Sequence, residues 1–137
     1  MRRADRAGTG DVVVRLSLQL GLPGEVGATV AATLSYRAAD PYAVDVTFHT
    51  ATGDVRWVFA RELLADGLHR PSGEGDVRVT PAGRSALVTL CSPDGIATLR
   101  VNRRSLAAFV ERTHRLVPPG HESDHLDLDA AVAALVA

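Results

Sequence analysis

Val44-Asp45-Val46-Thr47-Phe48-His49-Thr50-Ala51-Thr52-Gly53-Asp54-Val55-Arg56-Trp57-Val58-Phe59, running straight into Ala60-Arg61-Glu62-Leu63-Leu64-Ala65-Asp66-Gly67, is the stretch that decides the fold. Its first half repeats every two residues. Val44, Val46 and Phe48 share one face, while Asp45, Thr47 and His49 take the other, the pattern of a strand with one wet side. Thr50 to Asp54 closes a hairpin in which Gly53 is free to adopt a positive φ. Val55, Trp57 and Phe59 return on one face, with Arg56 opposite. After Phe59 the period changes. Residues 60–66 are good helix formers, and a short helix of about two turns is expected, with Gly67 as its C′ residue.

The same alternation extends on both sides. Upstream, Val12, Val14, Leu16, Leu18 and Leu20 form one apolar row, and Ala28, Val30, Ala32, Leu34 and Tyr36 form the next. Gly21-Leu22-Pro23-Gly24 separates them, and Ala39-Asp40-Pro41 turns the chain into the deciding hairpin. Four strands with short connections read as an antiparallel meander. Downstream, the turn-rich loop Arg70 to Gly75 leads to a second strand set through Val77 and Val79, Ser85–Cys91 and Ile96–Val101. Its turns are placed at Pro81-Ala82-Gly83 and Ser92-Pro93-Asp94-Gly95.

Two helices are expected to finish the chain. The first buries Leu106, Phe109, Val110, Thr113 and Val117 along one stripe, with Asn102 as N-cap and Pro118-Pro119-Gly120 as its stop. The second carries Leu128, Ala131, Val132, Leu135 and Val136 at helical spacing. The order predicts an α+β fold of antiparallel β-sheets, with a short helix between two strand sets and two C-terminal helices. A flexible arm over 1–11 and a single domain over 12–137 are expected.

Composition agrees with one ordinary globular domain: 137 residues, 46% hydrophobic and 23% charged. The 15 basic residues are all Arg, and 16 acidic ones leave a net charge of -1. Nucleic-acid domains normally show a strong positive excess, which is missing here. A single cysteine, Cys91, excludes an internal disulfide and is expected to be a buried, inert thiol. No apolar run approaches the roughly 20 residues of a membrane span, and no signal-type core follows the N-terminal charges, so a cytoplasmic location without membrane insertion is expected.

Few residues invite chemistry. His121 and His125, with Asp124 or Asp129, have the types of a metal site, but Pro118 to Gly120 break the helical spacing and favour a capping role for the acids. Ser92, Asp94 and His114 lack a nucleophile elbow and read as turn chemistry. Glycines 67, 73 and 75 match no phosphate-cradling motif. Trp57 belongs to the core or to a subunit interface, and His49 and His69 show no partner pattern. Arg104, Arg112 and Arg115 fall opposite the apolar stripe of the long helix, with Glu111 beside them. They form the candidate partner-binding surface.

Longer motifs then come into view. Ala39-Asp40-Pro41-Tyr42-Ala43-Val44, Phe48-His49-Thr50 and Trp57-Val58-Phe59-Ala60-Arg61-Glu62-Leu63-Leu64 are followed by the run from Gly67 to Val79. Ser92-Pro93-Asp94-Gly95, Phe109-Val110-Glu111-Arg112-Thr113, Val117-Pro118-Pro119-Gly120-His121-Glu122 and His125-Leu126-Asp127-Leu128-Asp129 complete the set. In order and spacing the chain resembles the SsgA-like family of sporulation and cell-division proteins of actinomycetes. The resemblance implies a non-enzymatic regulator without catalytic residues, cofactor, metal or small-molecule substrate. It would act at the division septum by recruiting the tubulin-like FtsZ, together with an SsgA-type protein. It also implies a whirly-like fold of two antiparallel sheets plus helices, assembled as a homotrimer. Whirly-like folds suggest an alternative function, single-stranded nucleic-acid binding, against which the net charge of -1 counts.

Overall fold

Each period-two segment becomes a strand, and the first helix starts where the period changes. The structure, a computed structural model, describes residues 11–22, 24–125 and 135. Strands β1 (Asp11–Leu20), β2 (Thr29–Arg37), β3 (Ala43–Thr50) and β4 (Gly53–Ala60) precede helix α1 (Arg61–Gly67). Strands β5 (Val77–Ala82), β6 (Ser85–Ser92) and β7 (Gly95–Asn102) lead into helix α2 (Arg103–Leu116), and a 3-10 turn covers Glu122–His125. Strand β1 begins at Asp11, a residue earlier than expected. Residues 1–10 of the expected arm, and the expected last helix apart from Leu135, lie outside the described residues.

The strands form one antiparallel sheet in the order β4-β3-β2-β1-β7-β6-β5. Two separate sheets had been expected. They are joined because β1 and β7 pair through Leu18–Val101, Gln19–Arg100 and Leu20–Leu99. Alternation in a sequence tells which face of a strand is buried but not which strand lies beside it, so this junction was invisible. Only one end of β1 is shared with β7; the rest pairs with β2 alone.

The apolar rows of both halves face the two helices. Leu18, Leu34, Val46, Phe48, Phe59, Val88 and Val101 meet Leu64 of α1 and Leu106 of α2 around an internal void of about 20 Å³. A wholly apolar space of that size holds no ligand. Burying each such Leu, Val or Phe contributes about 1.5–3 kcal/mol.

Local chemistry explains the element boundaries. Thr50 pairs with Gly53 around a two-residue turn, and Gly53 takes φ +129°, as the hairpin reading required. Tyr36 is fully buried, and its hydroxyl donates to the Pro41 carbonyl at 3.0 Å; burial raises its phenol pKa. Gly67 is not the left-handed cap expected. It is the last helical residue, and a Cβ there would lie 2.3 Å from Val79 Cγ1, so glycine permits α1 to press on β5. Pro81 lies within β5, since that strand is at the sheet edge and needs no further donor. Cys91 is half-buried, because Ala86, Val88 and Leu90 take the core side of β6 and Cys91 takes the other parity.

Among the described residues one cation is buried, and it ties the helices together. Arg61, the first residue of α1, is 3% exposed. Its guanidinium donates to the carbonyls of Thr113 (3.0 Å) and Val117 (2.7 Å) and pairs with Glu122 at 2.8 Å. It also lies 5.1 Å from the centre of the Tyr36 ring. The start of α1 therefore closes the end of α2, satisfying the Val117 carbonyl just past the helix and adding a second donor to the Thr113 carbonyl, which already accepts the Val117 N–H.

Candidate partner-binding surface

Helix α2 is capped by Asn102, whose Oδ1 accepts the Ser105 N–H at 2.9 Å, as the capping reading expected. Leu106, Phe109, Val110 and Thr113 are buried, which leaves Arg104, Arg112 and Arg115 exposed. At about 100° per residue, Arg104, Glu111 and Arg115 line up on one stripe, and Arg112 stands roughly 80° to the side away from α1. Arg115 is held by Glu111 at 3.1 Å. The candidate triplet is thus exposed throughout but spread over two flanks.

An open groove of about 970 Å³ runs between α1 and α2. Its apolar lining comes from Ala65, Leu68, Ala107 and Val110, and its polar lining includes Arg84, Arg103, Arg104, His69 and His114. Arg84 was missed in the sequence, although it is placed by a clear device. Ser85 pairs with Asn102 across β6 and β7, so the turn before β6 lies beside the start of α2. The Arg103 N–H donates to the Arg84 carbonyl at 2.8 Å, and its guanidinium donates to the Gly83 carbonyl at 3.1 Å. His114 has its pKa lowered, first by burial and then by the Arg61 charge, so it stays neutral further into acid.

The other candidates do not assemble. His121 Nδ1 lies 3.2 Å from Asp124 Oδ2 on an exposed turn, and no group of three His, Cys, Asp or Glu among the described residues is arranged to hold a metal. The side chain of His125 and the whole of Asp129 lie outside the described residues. Ser92 and Asp94 bond within their own turn, the Asp94 N–H donating to Ser92 Oγ at 3.3 Å, while His114 lines the helix groove.

A constellation that sequence reading did not assign lies on the sheet face away from the core. His49 Nε2 is 2.7 Å from Thr33 Oγ1, and its Nδ1 is 3.0 Å from Asp54 Oδ1. The His49–Asp54 pairing of the hairpin and the Ala31–His49 pairing of β2 and β3 bring the three together. The order hydroxyl–imidazole–carboxylate resembles a catalytic triad. Yet Asp54 is exposed, and neither groove nor void includes these residues. Its visible effect is to pin β2, β3 and β4 together.

Fold and surface together define a small α+β module that presents a helix-lined, partly cationic groove. Comparison with known proteins gives the family. Residues 30–122 match the family described as Streptomyces sporulation and cell division protein, SsgA. The sporulation-specific cell division protein SsgB of Streptomyces coelicolor is 47% identical over 131 residues, covering 92% of this chain and 96% of the relative. SsgB of Frankia casuarinae is 45% identical over 130 residues, covering 91% of each. A solved SsgB structure from work on Streptomyces coelicolor sporulation superposes with a TM-score of 0.80 at 49% identity, covering 85% of this chain and 95% of that one. The SsgA-like sporulation-specific cell division protein of Thermobifida fusca gives 0.79 at 40% identity, covering 93% and 97%.

The chain belongs to the SsgA family of sporulation and cell-division proteins. Its role therefore lies in sporulation-specific cell division. Among the described residues, no helix is long and apolar enough to cross a membrane.

Proposed function

We propose that this protein is a non-enzymatic regulator that localises the division septum during sporulation by recruiting FtsZ through protein–protein contacts, together with an SsgA-type protein. The observation that carries the proposal is the similarity to SsgB, which runs through both halves of the sheet and both helices rather than through one motif. In this reading the protein acts in the cytoplasm at the septum, its contact surface includes Arg104, Arg112 and Arg115, and its fold is whirly-like and trimeric. Support for self-assembly comes from the edge strand β4, where Val55 and Val58 are 47% and 56% exposed and Trp57 is half-buried.

Co-sedimentation with FtsZ polymers, combined with imaging of a tagged copy in sporulating hyphae, tests the proposal. The expected result is recovery of the protein in the polymer pellet and fluorescence in regularly spaced bands. A protein left in the supernatant and diffuse in the hyphae overturns it.

A further inference from the structure

Helix α2 starts against the usual electrostatic rule. The free N–H groups at a helix N-terminus carry about half a positive charge, which acidic side chains in the first turn normally meet. The first turn of α2 has no acidic residue and carries Arg103 and Arg104 instead. Arg84 is brought beside them by the strand pairing and by the bond from the Arg103 N–H. Among the described residues, no carboxylate lies within 4.0 Å of any of these three guanidinium groups. Glu111, the acidic residue in the groove lining, is engaged by Arg115. Three cations at a helix N-terminus form a local conflict that the described fold does not offset, and such conflicts mark functional sites.

We infer that this groove is the docking site for an acidic segment of a partner protein that also carries aliphatic side chains. The proposal rests on the adaptor reading above and supplies the place of contact. Carboxylates of the segment match the guanidinium groups of Arg84, Arg103 and Arg104 in charge and in bidentate geometry. An aliphatic side chain packs against half-buried Ala65 and Ala107 over the buried Leu68 and Val110, which a purely ionic site would not need. The occupant is protein rather than nucleic acid, because no Phe, Tyr or Trp among the described residues lines the groove to give a base a broad stacking platform. A net charge of -1 also leaves little to follow a phosphate backbone.

Fluorescence anisotropy with a labelled peptide, Glu-Asp-Leu-Glu-Asp-Leu-Glu-Asp, tests the inference. Saturable binding that weakens in high salt is expected, with a loss of about tenfold or more in the double variant Arg84→Glu, Arg104→Glu. A peptide with Ser at each Leu, and the variant Ala107→Glu, should each bind more weakly than the parent pair. Arg84 and Arg104 are exposed and their side chains make no hydrogen bond among the described residues, so unchanged thermal unfolding by circular dichroism is expected for the double variant. Equal peptide affinity in a folded double variant overturns the inference. So does binding of oligothymidylate or inorganic phosphate as tight as that of the peptide. Co-sedimentation separates the two readings. A double variant that still pellets with FtsZ polymers removes the groove and leaves the adaptor. A wild-type protein that binds the peptide in the groove but never pellets with FtsZ removes the adaptor and leaves the groove.

Discussion

Arg61 is held by two backbone carbonyls, a carboxylate and an aromatic ring, with almost no water. Removing one partner of such a set strands the others. Arg61→Ala is therefore expected to lower stability by about 3–5 kcal/mol, read as a shift in the urea midpoint. A shift within the scatter of surface substitutions would refute that role. The same cluster controls the response to acid. Glu122 has its pKa lowered below 4.5 by its own backbone N–H, by Arg61 and by the Gly120 N–H, so between the lowered value and 4.5 the unfolded chain binds more protons than the folded one. The stability this carboxylate supplies is complete above 4.5 and is lost as pH falls through the lowered value. His114, lowered from 6.5, has the same sign at higher pH: its contribution is complete above 6.5 and is lost as pH falls through its own lowered value. Denaturation midpoints measured against pH should show both losses. His114→Gln should flatten the upper one and Glu122→Gln the lower, and curves parallel to the parent would contradict the assignment.

Elements were legible where one stretch of chain contains its own instructions. The Gly53 hairpin, the Asn102 cap and the Leu106–Thr113 stripe all depend on residues within a few positions of one another, and the structure has each. The cap carries a measurable share of α2. Asn102→Ala should destabilise the fold by about 1 kcal/mol, because the Ser105 N–H loses its acceptor, and Asn102→Asp should retain or raise stability through the helix dipole. A melting curve in which both variants match the parent would show that the cap contributes nothing. The candidate surface was legible only in part. Arg104, Arg112 and Arg115 follow from helical spacing, whereas Arg84 joins Arg103 and Arg104 only through the β6–β7 pairing, which alternation does not encode. Gly67 misled for a related reason: a glycine at a helix end reads as a cap, and the reason for it here is Val79, on another strand.

At the scale of the molecule, the placement of β1 beside β7 turns two strand sets into one sheet and leaves β4 and β5 as its edges. The edges differ. On its outer side β5 exchanges hydrogen bonds with Ser72, whose N–H donates to the Val79 carbonyl at 2.9 Å and whose carbonyl accepts the Val79 N–H at 2.9 Å. Along β4 the burial gradient falls from Phe59, through half-buried Trp57, to exposed Val55, with Val58 exposed on the opposite face. An edge strand with exposed β-branched residues is a template for another chain unless something covers it. If copies of this protein assemble through β4, sedimentation of the wild type gives a multiple of the 14.5 kDa chain mass, three times it for the trimer. Val58→Lys then drops the mass to that of a single chain. Because Val58 is exposed within one chain, the monomer's own stability should change by no more than about 0.5 kcal/mol. An oligomer that survives Val58→Lys with unchanged mass moves the interface to another face and leaves β4 free for a partner's strand.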